Sequence, residues 1–229
     1  MGETLTIDFS KPLPLFPLPN CVLLPHATIP LHIFEPRYRQ MTKDALDSRG
    51  LIAVATFEGD DWKTDYENNP PLRPFVCVGY IVRHDRLADG RYNMLLQGIC
   101  RARITGEVPY EPYRLALVEP AEVFQSMEID LTDQRDRLED LLGDPLLKQL
   151  SCVSAIHNWL SKEIPTNVLV DLAIMTVCDD VDRRYAMLSE TNAGSRAAWL
   201  EHNLRQTRRT LALATRHGSG QSPEGFNLN

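Results

Sequence analysis

The chain has 229 residues, 43% apolar and 24% charged, with a formal net charge of −7. These values suit a chain that buries a real core and exclude a disordered one, while the acidic balance disfavours nucleic-acid or anionic-membrane binding that relies on Lys and Arg neutralising phosphate. No apolar run reaches the roughly 18 to 20 residues that span a bilayer, and the opening residues are short and acidic, so a cytoplasmic protein without a membrane partner is expected.

Residues 13–41 carry six prolines among mostly apolar neighbours. Proline fixes its own φ, cannot donate to a sheet ladder and pushes the preceding residue toward extended geometry, so these runs read as short strands with sharp corners, the wall of a small barrel. Glu35-Pro36 starts a helix with an inner stripe of Tyr38, Met41, Ala45 and Leu46, and Gly50 stops it. Residues 51–57 form a continuous apolar run of strand length. Gly59, Asn68, Asn69, Pro70 and Pro71 then make 58–74 a long loop, with Trp62 and Tyr66 as a plug over the core. Alternation of period two predicts strands at 76–82 and 91–97 around an Ala88-Asp-Gly90 turn, another at 100–105 and a last at 113–119. Beyond Val123 the period becomes 3.6, which predicts helices over 131–142, 146–160, 168–178 and 180–189 and a long last helix capped by Ser195. His157 falls on one of these apolar stripes, as a hydrogen-bonded histidine at the edge of the core. The fold class is therefore α+β: a mostly antiparallel β-barrel with one inserted helix over 1–124, a helical bundle over 125–216 and a flexible tail over 217–229.

Two blocks carry a family resemblance. The first is Leu13-Pro-Leu-Phe-Pro-Leu, then Val22-Leu-Leu-Pro and Ile29-Pro-Leu-His-Ile-Phe-Glu before a helix. The second is Gly79-Tyr-Ile-Val, the Asp89-Gly90 turn, the Gly98-x-x-Arg101-x-Arg103 strand and Glu111-Pro-Tyr. In content and order, over residues 11–122, they resemble the Lon protease N-terminal (substrate-binding) domain, and residues 165–189 are similar to the helices that follow it. The resemblance implies a PUA-like fold in a stand-alone, non-catalytic module. Its implied partners are unfolded or apolar polypeptide segments, met directly or as an adaptor beside a protease or chaperone in protein quality control. By motif match, the candidate peptide-binding residues are Pro30, Leu31, Ile33, Phe34, Glu35 and Arg37. Packing offers a competing account, since a Phe and an Ile before a helix commonly staple it to the core.

Reaction signatures are sparse. The chain lacks a G-x-x-x-x-G-K-[ST] phosphate cradle, and Ser161-Lys162 are neighbours whose side chains diverge by about 100° on a helix, so neither the ATPase nor the serine-lysine protease chemistry of Lon is expected, nor any cofactor. The acidic groups Glu58, Asp60, Asp61 and Asp179, Asp180, Asp182 lack a glycine-centred calcium loop, and Gly218-Ser-Gly220 lacks the spacing of a nucleophile elbow. Cys21, Cys77, Cys100, Cys152 and Cys178 form no C-x-x-C pair, and most read as reduced, buried thiols. Arg205, Arg208, Arg209 and Arg216 read as a solvated helix face. Two rival readings stand beside the first: an RNA-binding PUA-like protein, and a small-ligand or enzyme module assembled from Cys21, His26, His32 and the 58–74 loop.

Overall fold

The computed structural model describes residues 6–66, 68–121, 131–160 and 164–216. The chain divides into two compact units, Met1–Val123 and Phe124–Asn229. The expected 124/125 boundary, the Ser161-Lys162 pair and the 217–229 tail lie outside the described residues.

In the first unit the strands are β1 (Leu13–Pro17), β2 (Thr28–Ile33), β3 (Leu51–Ala55), β4 (Phe75–Arg86), β5 (Tyr92–Val108) and β6 (Arg114–Pro120), with helix α1 (Pro36–Leu46) between β2 and β3. Their order is β2-β5-β4-β3-β1-β6, and β6 returns to pair with the far half of β5. The sheet thus closes into a ring through β5, which leaves β2 outside the closure rather than in a barrel of equal staves. Every pairing is antiparallel except β1 with β3. All five residues of β3 are buried, as its unbroken apolar run requires of a strand covered on both sides. Leu15, Ala53, Val78, Ala102 and Ala116 fill the ring.

The separate strands expected at 91–97 and 100–105 are one 17-residue strand, β5. Its ladder with β4 shifts register where Val78 opposes Cys100 and Gly79 opposes Gly98, so the strand absorbs an extra residue and bends instead of ending. Gly98 sits under the 21–27 segment: a Cβ there would lie 2.3 Å from Leu24 O and 3.0 Å from Cys77 Sγ. Two hydrogen bonds hold the approach, His26 N to Gly98 O and Gly98 N to Ala27 O, each 2.8 Å. In the Gly98-x-x-Arg101-x-Arg103 pattern the glycine therefore admits a crossing backbone, Arg101 is buried, and Arg103 stands exposed near Glu119.

In α1 the extended Glu35 precedes Pro36, and the buried face is Tyr38, Met41, Thr42 and Ala45. Thr42 takes the place expected for Leu46 because its hydroxyl donates to Tyr38 O at 2.8 Å and so needs no water. The loop from 58 to 74 has paired arms, with Glu58 N donating to Pro71 O (2.8 Å) and Arg73 N to Thr56 O (2.9 Å). The rings of Trp62 and Tyr66 pack on Phe57 with centroids at 5.7 and 5.8 Å, so the two aromatics do plug the core.

The second unit holds α2 (Thr132–Leu142), α3 (Ser151–Leu160), α4 (Thr166–Val177), α5 (Val181–Ser189) and α6 (Ala193–Arg216). The helix expected over 146–160 is split, because Leu150 is extended (φ −80°, ψ 125°) between a short 3-10 turn and α3. On α6, Asn192 rather than Ser195 is the cap: its Oδ1 accepts from Ser195 N at 2.9 Å. Helix α4 is buried on most of its surface, Asp171 included, and Arg196 Nε lies 3.0 Å from Asp171 Oδ1, with the two side chains 2% and 1% exposed.

Candidate functional site

The junction of β2 and α1 follows from the pleat. Along β2, Ile29 and Ile33 face the core while Thr28, Pro30 and His32 are exposed. Pairing with β5 sets Pro30 beside Leu95 and His32 beside Asn93, and β4 continues the rows with Arg83 and Asp85. These residues, with Leu31 and Met94, line an open groove of about 400 Å³. His32 Nδ1 lies 2.6 Å from Asn93 Oδ1, so Nδ1 is the donor and Nε2 accepts from Arg91 Nη1 at 3.3 Å. Phe34 continues the outward row at 60% exposure, its ring stacked on His32 with centroids 6.3 Å apart. It is no staple to the core.

Immediately beyond, Glu35 and Arg37 turn away from the groove. Arg37 Nε donates to Glu35 Oε2 at 3.0 Å, and Tyr66 OH donates to Glu35 Oε1 at 3.1 Å. The Arg37 guanidinium lies between the rings of Tyr38 (4.8 Å) and Tyr66 (4.6 Å). Burial first, then the neighbouring Tyr66, pushes the Tyr38 hydroxyl well above its ordinary value, so it stays protonated at any physiological pH. The cluster is a clamp between the 58–74 loop and the head of α1. Of the six candidates, Pro30 and Leu31 line the groove, Phe34 stacks on its His32, Ile33 is 2% exposed and packs inward, and Glu35 and Arg37 form the clamp. The groove's other wall, Arg83, Asp85, Asn93 and Leu95, was not among the candidates; the 88–90 turn pairs 83 and 85 with 95 and 93, but nothing local brings β2 beside them.

The rival sites fare differently. His26 bonds to Gly98 whereas His32 lies opposite Asn93, five residues along β5, which is roughly 17 Å at about 3.4 Å per residue. Cys21, His26 and His32 therefore do not share one pocket. Several exposed arginines of the first unit lie against carboxylates, Arg83 with Asp85, Arg91 with Asp89 and Arg103 with Glu119, so their charge is turned to the protein's own groups rather than to a phosphate backbone. Arg205 and Arg208 likewise pair with Glu201 (2.7 Å) and Asp144 (2.5 Å). Asp180 caps α5 by accepting from Arg183 N at 2.7 Å, and among the described residues no three His, Cys, Asp or Glu side chains converge as a metal site. Burial pushes the thiols of Cys152 and Cys178 up, away from the reactive thiolate. His157 departs from expectation: it is only half-buried, and its buried Nδ1 has no hydrogen-bond partner among the described residues. No helix among the described residues is long and apolar enough to cross a membrane.

The family model of the ATP-dependent protease La (LON) substrate-binding domain matches residues 12–204. The chain belongs to the Lon substrate-binding domain family. It is similar to Lon protease 2 of Myxococcus xanthus, 23% identical over 221 residues, which is 95% of this chain and 26% of that protein. It is also similar to Lon protease 2 of Sorangium cellulosum, 27% identical over 135 residues (57% of this chain, 16% of that one), and to the Lon protease of Dictyoglomus thermophilum, 32% over 129 residues (55% and 16%). The chain thus spans about a quarter or less of these curated Lon proteases. Among solved structures, the N-terminal domain of Mycobacterium avium complex Lon protease superposes with a TM-score of 0.62 at 17% identity, covering 83% of this chain and 96% of that one. A Lon N-terminal domain protein from Xanthomonas campestris gives 0.55 at 20% identity over the same shares. These two establish the fold: α+β, six strands and following helices, as in Lon N-terminal domains.

Proposed function

We propose that this Lon-type domain is a non-catalytic polypeptide-binding module that takes up unfolded or apolar segments in the cytoplasm, directly or as an adaptor beside a protease or chaperone. Recognition belongs to residues 1–124, with the helices of 125–216 as a separate subdomain. The observation that carries the reading is the exposure of Phe34, 60% in water and stacked on His32 of the groove. An aromatic side chain held in solvent next to a concave surface is what an occupant's apolar residue would cover. Pro30, Leu31 and Phe34 make the contact; Ile33, Glu35 and Arg37 hold them in place.

The test is a titration with fluorescein-labelled, reduced and carboxymethylated α-lactalbumin, which cannot fold, against the native form of the same client. Saturable binding of the unfolded client only is expected, weakened about tenfold by Phe34→Ala, as for an aromatic anchor worth more than about 1 kcal/mol. Unfolding midpoints should match, since the ring is exposed. Equal binding of native and unfolded client, or indifference to Phe34→Ala, would overturn the reading.

A further inference from the structure

A site that accepts many sequences gains most by holding what every polypeptide shares, its main chain. β2 is placed to do this. Among the described residues β5 is its only strand neighbour, and the bond from Gly98 N to Ala27 O fixes which way its groups alternate. Ala27, Ile29, Leu31 and Ile33 turn their main-chain groups to β5; those of Thr28, Pro30 and His32 turn to the open edge. Pro30, which has no N–H, lies on the side where a ladder bond is not lost. The edge therefore presents three carbonyls and two N–H groups, and Phe34 stands at its end.

Resting on the polypeptide-binding reading, we infer that an extended segment of an unfolded polypeptide adds to β2 as a further strand. Its main chain bonds to Thr28 and His32 and to the Pro30 carbonyl, and one apolar side chain lies on Phe34. Charge complementarity selects an uncharged segment: on the groove face next to the edge His32 is held by Asn93, Arg91 pairs with Asp89, and across β5 Arg83 lies near Asp85, so these charged groups already face partners of the protein's own. A second copy fits less well. Each copy would bring its own Pro30, so a β2-to-β2 pair loses two bonds where a proline-free segment loses one.

The probe is the fluorescein-labelled nonapeptide Lys-Thr-Val-Thr-Phe-Thr-Val-Thr-Lys, singly N-methylated at each central residue, with unfolded α-lactalbumin alongside. Strand addition predicts alternation: N-methyl groups on residues whose N–H faces β2 weaken binding about tenfold, and those between change it by less than about twofold. Pro30→Ala restores a donor to the edge and should tighten binding about three- to tenfold, a gain that poor folding cannot imitate. Losses without alternation, a Pro30→Ala protein that binds no better, or a peptide that fails where α-lactalbumin binds would each overturn strand addition and leave polypeptide binding standing. Failure of both probes to bind would remove the two together.

Discussion

Gly98→Ala tests the packing that sets β2 in place. The added Cβ would lie 2.3 Å from Leu24 O, where carbon-to-oxygen contacts are normally no closer than about 3.3 Å, so the crossing backbone must retreat by about 1 Å. That retreat breaks the bonds His26 N to Gly98 O and Gly98 N to Ala27 O. At about 1 kcal/mol for each bond and about 1–3 kcal/mol of overpacking strain, the variant should lose roughly 3–5 kcal/mol. Two other strand glycines calibrate the argument. A Cβ on Gly79 would meet Cγ of the fully buried Leu96 at 2.8 Å, a side chain that must repack rather than a backbone that must retreat, for about 1–3 kcal/mol. One on Gly106 meets nothing within 4 Å and should be neutral or slightly stabilising, by up to about 1 kcal/mol, through the unfolded chain. Urea unfolding followed by Trp62 fluorescence, with Trp159→Phe and Trp199→Phe to silence the second unit, gives the three values separately. Gly98→Ala no worse than Gly106→Ala would refute the close approach.

In the helical unit, Asp171→Ala leaves the Arg196 guanidinium buried without its carboxylate and should cost about 3–5 kcal/mol, whereas Asp171→Leu with Arg196→Met should cost clearly less; paired urea titrations read the difference. Asp144 carries a pH dependence. Burial alone would raise its carboxyl, but the Arg208 hydrogen bond and the N–H groups of Leu146 and Leu147 outweigh it and hold the group below its ordinary value. A depressed native value adds stability above the unfolded pKa of about 3.9 and loses it as pH falls through the native one. The gap in urea midpoint between the natural protein and Asp144→Asn should thus be constant from about pH 7 to 5 and shrink below about pH 4.

The elements that were legible are those whose signal is local. Five apolar residues in a row made β3, and the 88–90 turn with its alternating flanks made the β4–β5 hairpin. Errors arose where two local signals compete or a distant neighbour decides. Asn192 and Ser195 are both capping types three residues apart, and either can start α6. Gly98 looks like a strand end until the 21–27 backbone above it explains the missing side chain. Leu147, Leu150, Val153 and Ile156 keep a helical spacing through a break, because all four are buried by the same core and the period survives the interruption at Leu150. Of the groove, motif match names Pro30 and Leu31 in its lining and Phe34 stacked on His32, but the wall from β4 and β5 and the clamp through Tyr66 depend on pairings far apart in sequence.

The exposure of Phe34 itself follows from residues on either side of it. Sliding β2 by one position against β5 would turn Phe34 toward the core, yet the same slip would expel Ile29 and Ile33, each worth about 1.5–3 kcal/mol of burial. It would also bring Pro30 into the ladder with β5, where its missing N–H leaves an acceptor unpaired. The alternative of twisting only the end of the strand is closed by Glu35 and Arg37, which are fixed to Tyr66 and Tyr38 one residue later. Ile29 and Ile33, with Pro30 against the slip, thus set the register that leaves Phe34 in water, and the clamp stops the ring from escaping it. An aromatic side chain presented on so constrained a backbone has little main-chain freedom left to lose, which lowers the entropy cost of any contact made to it.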